Sequence, residues 1–150
     1  MEIPSDFKEL LELFNAHNVD YIIVGGYALA FHGAPRFTGD IDLFVRIDAE
    51  NANHIVDALH EFGFESLGLS IEDFQIPEKV IQLGLPPVRI DILTSLTGVS
   101  WEKADSSKVS AKFADVPVYY IGRNELISNK KRLRRKKDLA DLEALGESEL

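Results

Sequence analysis

Two aspartates two residues apart, Asp40 and Asp42, open the run Asp-Ile-Asp-Leu-Phe-Val, and a third, Asp91, stands alone among apolar neighbours in Arg-Ile-Asp-Ile-Leu. Successive side chains on a strand point to opposite faces, so Asp40 and Asp42 project to one side while Ile41 and Leu43 turn to the core. Carboxylates this close repel and raise each other's proton affinity. A bound cation removes that conflict. Oxygen-only ligands suit magnesium or manganese, and magnesium needs only one or two carboxylates besides substrate phosphates. A lone Asp-x-Asp is common as the solvated face of a half-buried strand; the second acid-bearing strand is what adds weight. If it lies beside the first, Asp91 joins the pair. Three converging carboxylates can hold two metal ions about 3.5–4 Å apart, and Asp91 can also take a proton from an attacking hydroxyl.

Gly25-Gly26 lies some fifteen residues before the acid pair, between a predicted strand and a predicted helix. Glycine lets a bulky ligand approach the main chain, and a helix start offers free amides to phosphate. A plain tight turn is the commoner reason for a glycine pair. Arg36 and Thr38 fall between the turn and the acids. The Arg36 guanidinium can grip phosphate oxygens or brace the acidic strand through a salt bridge. Thr38 belongs to the same candidate phosphate loop, though holding the loop is its more natural task. His32, at the predicted helix end, reads as a hydrogen-bonded structural histidine.

The elements that must position these residues follow from periodicity. Ser5 or Asp6 can cap a first helix, in which Phe7, Leu10, Leu11 and Phe14 form one apolar face. Tyr21–Val24 reads as a buried strand. Tyr27–His32 starts a short helix, broken by Gly33-Ala34-Pro35. Asp40–Val45 is the next strand, and Ala49–Phe62 a helix ended by Gly63. Lys79–Leu85 and Val88–Leu93 read as an antiparallel pair joined at Pro86-Pro87, and Val116–Ile121 as a further strand. Residues 122–134 and 137–145 look helical. Leu67, Leu69 and Ile71 are expected in the core rather than in an exposed patch. Mixed strands and helices with an antiparallel element give an α/β (α+β) class.

Composition narrows the function classes. The 150 residues fit one domain over 1–150, with a helical C-terminal segment of about 122–146. The chain has no cysteine, which excludes disulfides, thiolate catalysis and cysteine zinc sites. No apolar run approaches the ~20 residues of a membrane helix, and Met1–Asp6 lacks the basic start of a secretory signal, so a cytoplasmic location without membrane association is expected. The net charge of −9 argues against a general nucleic-acid coat. Seven of the sixteen basic residues, however, fall between Lys130 and Lys137; without them nine basic residues face 25 acidic ones. Such a run is commonly a solvated helix end. It can also form an anion site for a triphosphate or an RNA acceptor. A helix spreads its side chains around its axis, so only one or two can face a single site; Lys130 comes first and Lys137 second.

Taken together, Val24-Gly25-Gly26-Tyr27-Ala28-Leu29, Arg36-Phe37-Thr38-Gly39-Asp40-Ile41-Asp42-Leu43 and Arg89-Ile90-Asp91-Ile92-Leu93 resemble the nucleotidyltransferase superfamily related to DNA polymerase beta. Leu126-Ile127-Ser128-Asn129-Lys130 and Arg135-Lys136-Lys137-Asp138-Leu139-Ala140-Asp141-Leu142 are similar to a helical motif in small prokaryotic members, the abortive-infection toxins and minimal nucleotidyltransferase antitoxins. The resemblance spans roughly Tyr21 to Leu145. It implies a short mixed sheet flanked by helices, with two C-terminal helices. It also implies transfer of a nucleoside monophosphate from a triphosphate to a protein, RNA or small-molecule acceptor, with release of pyrophosphate and a need for magnesium or manganese.

By the same resemblance Asp40, Asp42 and Asp91 would bind metal, Asp91 assisting deprotonation; Gly25 and Gly26 would cradle phosphates; Lys130 would meet the triphosphate or the acceptor. Two positions depart from the pattern. Tyr27 stands where many members have a phosphate-binding serine, so its own hydroxyl is the candidate there. Arg134 stands where members often have glycine. The expected function is a metal-dependent nucleotidyltransferase, with a toxin–antitoxin role and a cognate partner protein in prospect. The alternative is a non-catalytic nucleotide- or partner-binding module of the same fold, and a third reading is a structural α/β domain whose acids are a solvated face.

Overall fold

The structure is a computed structural model that describes residues 3–147; residues 1–2 and 148–150, the ends of the expected domain and part of the Met1–Asp6 segment, lie outside the described residues. Six strands, β1 (Tyr21–Val24), β2 (Asp40–Val45), β3 (Val80–Leu83), β4 (Arg89–Leu93), β5 (Val109–Phe113) and β6 (Val116–Tyr120), form one mixed sheet in the order β3-β4-β2-β1-β6-β5. Among the described residues six α-helices flank it: α1 (Ser5–Ala16), α2 (Gly25–Phe31), α3 (Ala49–Leu59), α4 (Trp101–Ser107), α5 (Arg123–Leu133) and α6 (Lys136–Ala144). This is the α/β class that the element pattern gives.

The two acid-bearing strands are direct neighbours. β2 and β4 run parallel with Asp40 opposite Arg89, Ile41 opposite Ile90 and Asp42 opposite Asp91. Ile41, Leu43, Ile90 and Ile92 are at most 1% exposed, so the pleat places an apolar face behind the acids. β1 runs antiparallel to β2 with Val24 opposite Asp42, which sets Gly25 beside that carboxylate. Asn51, fully buried at the start of α3, accepts from the Asp20 amide (2.7 Å) and donates to the Asp20 and Arg46 carbonyls (3.1 and 2.9 Å). It thereby ties together the residues that flank the far end of the β1–β2 pair.

Several boundaries differ from the sequence expectation. Neither Ser5 nor Asp6 caps α1; Pro4 is the capping residue, without a side-chain bond, and both polar residues lie in the first turn, where Asp6 complements the helix dipole. The second helix begins at Gly25 rather than Tyr27. α3 stops at Leu59, and residues His60–Phe64 form a single wide turn in which Gly63 takes φ 117°. Leu69 and Ile71 pack against the core, whereas Leu67 is exposed.

α4 and β5 were not anticipated. β5 reads Val-Ser-Ala-Lys-Phe, with small and polar residues diluting the strand signal, as suits an edge strand. Ala114 and Asp115, both at positive φ, turn it back into β6. Arg134 caps the C-terminus of α5 in the left-handed conformation (φ 53°), which explains why relatives of this pattern can favour glycine there.

Ile41→Ala should cost about 2–5 kcal/mol, because the cavity opens directly behind the acid pair. Urea unfolding at neutral pH measures this; a loss below about 1 kcal/mol would mean that the face behind Asp40 and Asp42 is loosely packed.

Candidate active site

At the head of the parallel pair Asp40, Asp42 and Asp91 each offer an oxygen within 4.8 Å of the others. Arg89, two residues before Asp91 and on the same face, spans two of them. Its Nε donates to Asp91 Oδ1 (3.0 Å), and its Nη2 to both Asp91 Oδ2 (3.0 Å) and Asp40 Oδ2 (2.7 Å). Thr38 Oγ1 donates to the remaining Asp40 oxygen at 3.0 Å.

The electrostatics of the three acids diverge. Burial opposes charge on Asp40, but hydrogen bonds from Asp91, Arg89 and Thr38 prevail and hold its carboxyl below the ordinary range. Asp91 is raised, by burial and by its bonded neighbour Asp40, against the pull of Arg89. Asp42 makes no bond to Arg89. Burial, then the charges of Asp40 and Asp91, push it up to about 7, opposed by Lys137. The three carboxylates thus face one guanidinium, an excess of negative charge that suits a hard divalent cation. With no sulfur or imidazole in the donor set, magnesium or manganese fits better than zinc.

Gly25 and Gly26 have separate steric duties. Gly25 sits at φ 68°, and a methyl group there would overlap Asp42 Oδ2. At Gly26 it would meet Thr38 Cβ at 2.9 Å. The glycine pair therefore lets the main chain lie flush against one acid and against the threonine that bonds another. Tyr27 goes elsewhere. Its ring is buried edge-on between Phe7 and Phe113 (centroids 5.9 and 5.1 Å), and it does not line the cavity over the acids. His32 Nε2 donates to the Ile121 carbonyl (2.7 Å), as a structural histidine should.

The C-terminal helices form the opposite wall. Lys130, 4% exposed, bonds Asp141 Oδ2 at 2.9 Å and lies 3.6 Å from Asp138. Asp141 also takes the Arg36 fork at 2.9 and 3.2 Å, so Arg36 braces α6 rather than the acidic strand. Arg135 grips Asp138 with Nε (2.6 Å) and Nη2 (3.1 Å). Burial works against both acids, but these cations hold their carboxyls low.

Both walls enclose a cavity of about 830 Å³. All the candidate site residues line it except Tyr27, and Arg89, Arg135 and Gln82 line it as well. Sequence reading passed over Arg89, although its place two residues before Asp91 puts it on the acid face. Asp138 and Asp141 stand in the C-terminal motif without an assigned role; their i, i+3 spacing beside the basic run was the available signal. Gln82, opposite Asp91 in the β3–β4 register, carried none.

A mixed sheet of this order, with carboxylates gathered at the strand heads and glycines against them, defines the nucleotidyltransferase fold. Two solved structures share it. A candidate nucleotidyltransferase from Thermotoga maritima aligns at TM-score 0.58 and 18% identity, covering 91% of this chain and 88% of its own. An antigenic nucleotidyltransferase-like protein from Paracoccidioides brasiliensis aligns at 0.56 and 19%, covering 93% and 71%. No curated protein sequence matches the chain. The chain belongs to the aminoglycoside-2''-adenylyltransferase family, which matches residues 6–118.

Gly25→Ala should displace Asp42 and weaken manganese binding at least about tenfold while leaving the protein folded, since a side chain at this φ costs only about 1–2 kcal/mol. Unchanged manganese binding by calorimetry would show that Asp42 moves aside freely.

Asp42 supplies a pH test. The folded carboxyl keeps its proton to about 7, against an ordinary value of 3.8. Between these values the unfolded chain has released a proton that the native state retains, so this group's contribution to stability falls as pH rises. In chelator-treated buffer Asp42→Asn should therefore gain on the wild type as pH rises from about 4 to about 7. Urea midpoints that run parallel across this window would rule the effect out.

Proposed function

We propose that the chain acts as one unit over residues 1–150 and is a metal-dependent nucleotidyltransferase: it moves a nucleoside monophosphate from a nucleoside triphosphate to an acceptor hydroxyl and releases pyrophosphate. The carrying observation is the convergence of Asp40, Asp42 and Asp91 on one face of a cavity whose other wall is cationic. Magnesium or manganese held by these three would supply charge neutralisation at the reacting phosphate.

The chain's own groups account for the rest. Gly25 and Gly26 let the triphosphate approach the main chain, and Thr38 keeps the Asp40 carboxylate aligned. Arg36, Lys130 and Lys137 present positive charge to the phosphates; Lys137 is exposed, whereas Lys130 is fixed by its two acids. Asp91, with its raised proton affinity, accepts the acceptor's proton as the hydroxyl oxygen attacks the α-phosphorus and the bond to pyrophosphate breaks. A nucleoside triphosphate substrate also favours a cytoplasmic setting.

The family description supports a small hydroxyl-bearing acceptor such as an aminoglycoside. A second acceptor class rests on the exposed Arg132, Arg134 and Lys136 beside the cavity, which would suit an RNA backbone. A cognate partner protein, as in a toxin–antitoxin pair, completes the acceptor set to be screened. The non-catalytic binding module stays as the rival; the presence of all three acids speaks against it.

Calorimetric titration with each of the four ribonucleoside triphosphates, with and without magnesium, tests the reading. Magnesium-dependent binding of at least one is expected, and Asp40→Asn with Asp42→Asn together should weaken it at least tenfold and lower transfer to any acceptor found by roughly a hundredfold or more. Binding that ignores both metal and variant would favour the module; binding of none would sink the proposal.

A further inference from the structure

Arg89 contacts three of the four carboxylate oxygens of Asp40 and Asp91. Both Asp91 oxygens and one Asp40 oxygen accept from its guanidinium, and the other Asp40 oxygen accepts from Thr38. Asp42 alone is left without a cationic partner in hydrogen-bonding contact among the described residues. The side chain is not part of the core: it is 30% exposed and lines the cavity itself. A divalent cation drawn to Asp40 and Asp91 would have to share their oxygens with this guanidinium, and two cations sharing a pair of carboxylates repel each other.

We propose that Arg89 is a built-in counter-cation that competes with the divalent metal for Asp40 and Asp91, so that the free protein resists loading by metal alone. This rests on the reading of the site as a metal–triphosphate centre. Without ligand, Arg89 keeps two mutually repelling carboxylates together and in place. When metal enters with a triphosphate, the displaced guanidinium finds phosphate oxygens in the same cavity, and the competition eases. Metal and triphosphate thereby bind with positive coupling, and Arg89 is the residue that couples them. It is a positioning residue whose partner changes between the free and the loaded states.

The test is manganese binding to the whole chain without nucleotide, read from the paramagnetic resonance signal of free Mn²⁺. Arg89→Gln removes the charge and the fork, and should bind Mn²⁺ roughly tenfold more tightly than the wild type, the size expected from deleting one like charge beside the site. Arg89→Lys keeps the charge but cannot fork, and should tighten binding about two- to threefold by the same comparison. A non-hydrolysable triphosphate should then raise the Mn²⁺ affinity of the wild type more than that of Arg89→Gln. Equal or weaker Mn²⁺ binding in the glutamine variant overturns the proposal, as does the absence of Mn²⁺ binding in both proteins. Should circular dichroism show that Arg89→Gln does not fold, Arg89→Lys decides by the same criterion. Failure of the wild type to bind any triphosphate would remove the nucleotidyltransferase reading and the coupling with it, whereas the metal comparison needs no nucleotide and by itself decides whether Arg89 competes with metal.

Discussion

Three carboxylates held within 4.8 Å of one another on one face of a sheet are the constraint to which the rest of this structure answers. Left to themselves they would separate or protonate. They do neither fully, because the strands that carry them are locked by an apolar face in which Ile41, Leu43, Ile90 and Ile92 are sealed from solvent. The energy of that packing is what keeps like charges adjacent. The parallel register of β2 and β4 then puts Asp42 level with Asp91, and Arg89 level with Asp40, so repulsion and its partial remedy come from the same pairing.

The surroundings show the same logic at shorter range. Gly25 has no side chain because Asp42 lies where one would be. Thr38 serves as a bonded spacer between the glycine turn and Asp40. Across the cavity the signs are reversed. Asp138 and Asp141 are buried under Lys130, Arg36 and Arg135, and each acid bonds two cations. Removing one member of such a layer would strand a charge in a dry place, a loss of about 3–5 kcal/mol for a buried pair. The loop that contains Arg36 and the two C-terminal helices are therefore joined by ion pairs rather than by apolar packing alone.

How much of this could be read in the sequence depended on the kind of signal. Alternation and glycine punctuation located β1, β2, β4 and β6 to within a residue or two, since these strands are buried and their residue types agree with their environment. β5 and α4 escaped because an edge strand of Val-Ser-Ala-Lys-Phe and a seven-residue helix have too little apolar pattern to stand out. The facing of Asp40, Asp42 and Asp91 followed from a two-residue period and one assumption of adjacency. The ionic layer did not follow. Whether Asp138 and Asp141 are solvated or buried depends on where Lys130 and Arg36 arrive in space, 105 residues separating Arg36 from Asp141. Tyr27 shows the same limit: one position in a motif can keep its backbone role and send its side chain to the core.

The ionic layer also alters what the basic wall can do. Lys130 is already balanced by two acids, so its pull on an anion is weaker than that of a free lysine, but its position is fixed. Lys137 is exposed and has no acid partner in salt-bridge range among the described residues, so it has the charge without the fixed geometry. A polyanion entering the cavity meets both kinds: a mobile charge that attracts it from solvent, and ordered charges that lose little side-chain entropy when they bond to it. On the opposite wall Arg89 stands among acids and Asp42 among repelling neighbours, so that side gains most when positive charge arrives with the anion. The two walls together therefore favour a ligand that brings both signs at once, and a metal–triphosphate complex has that character.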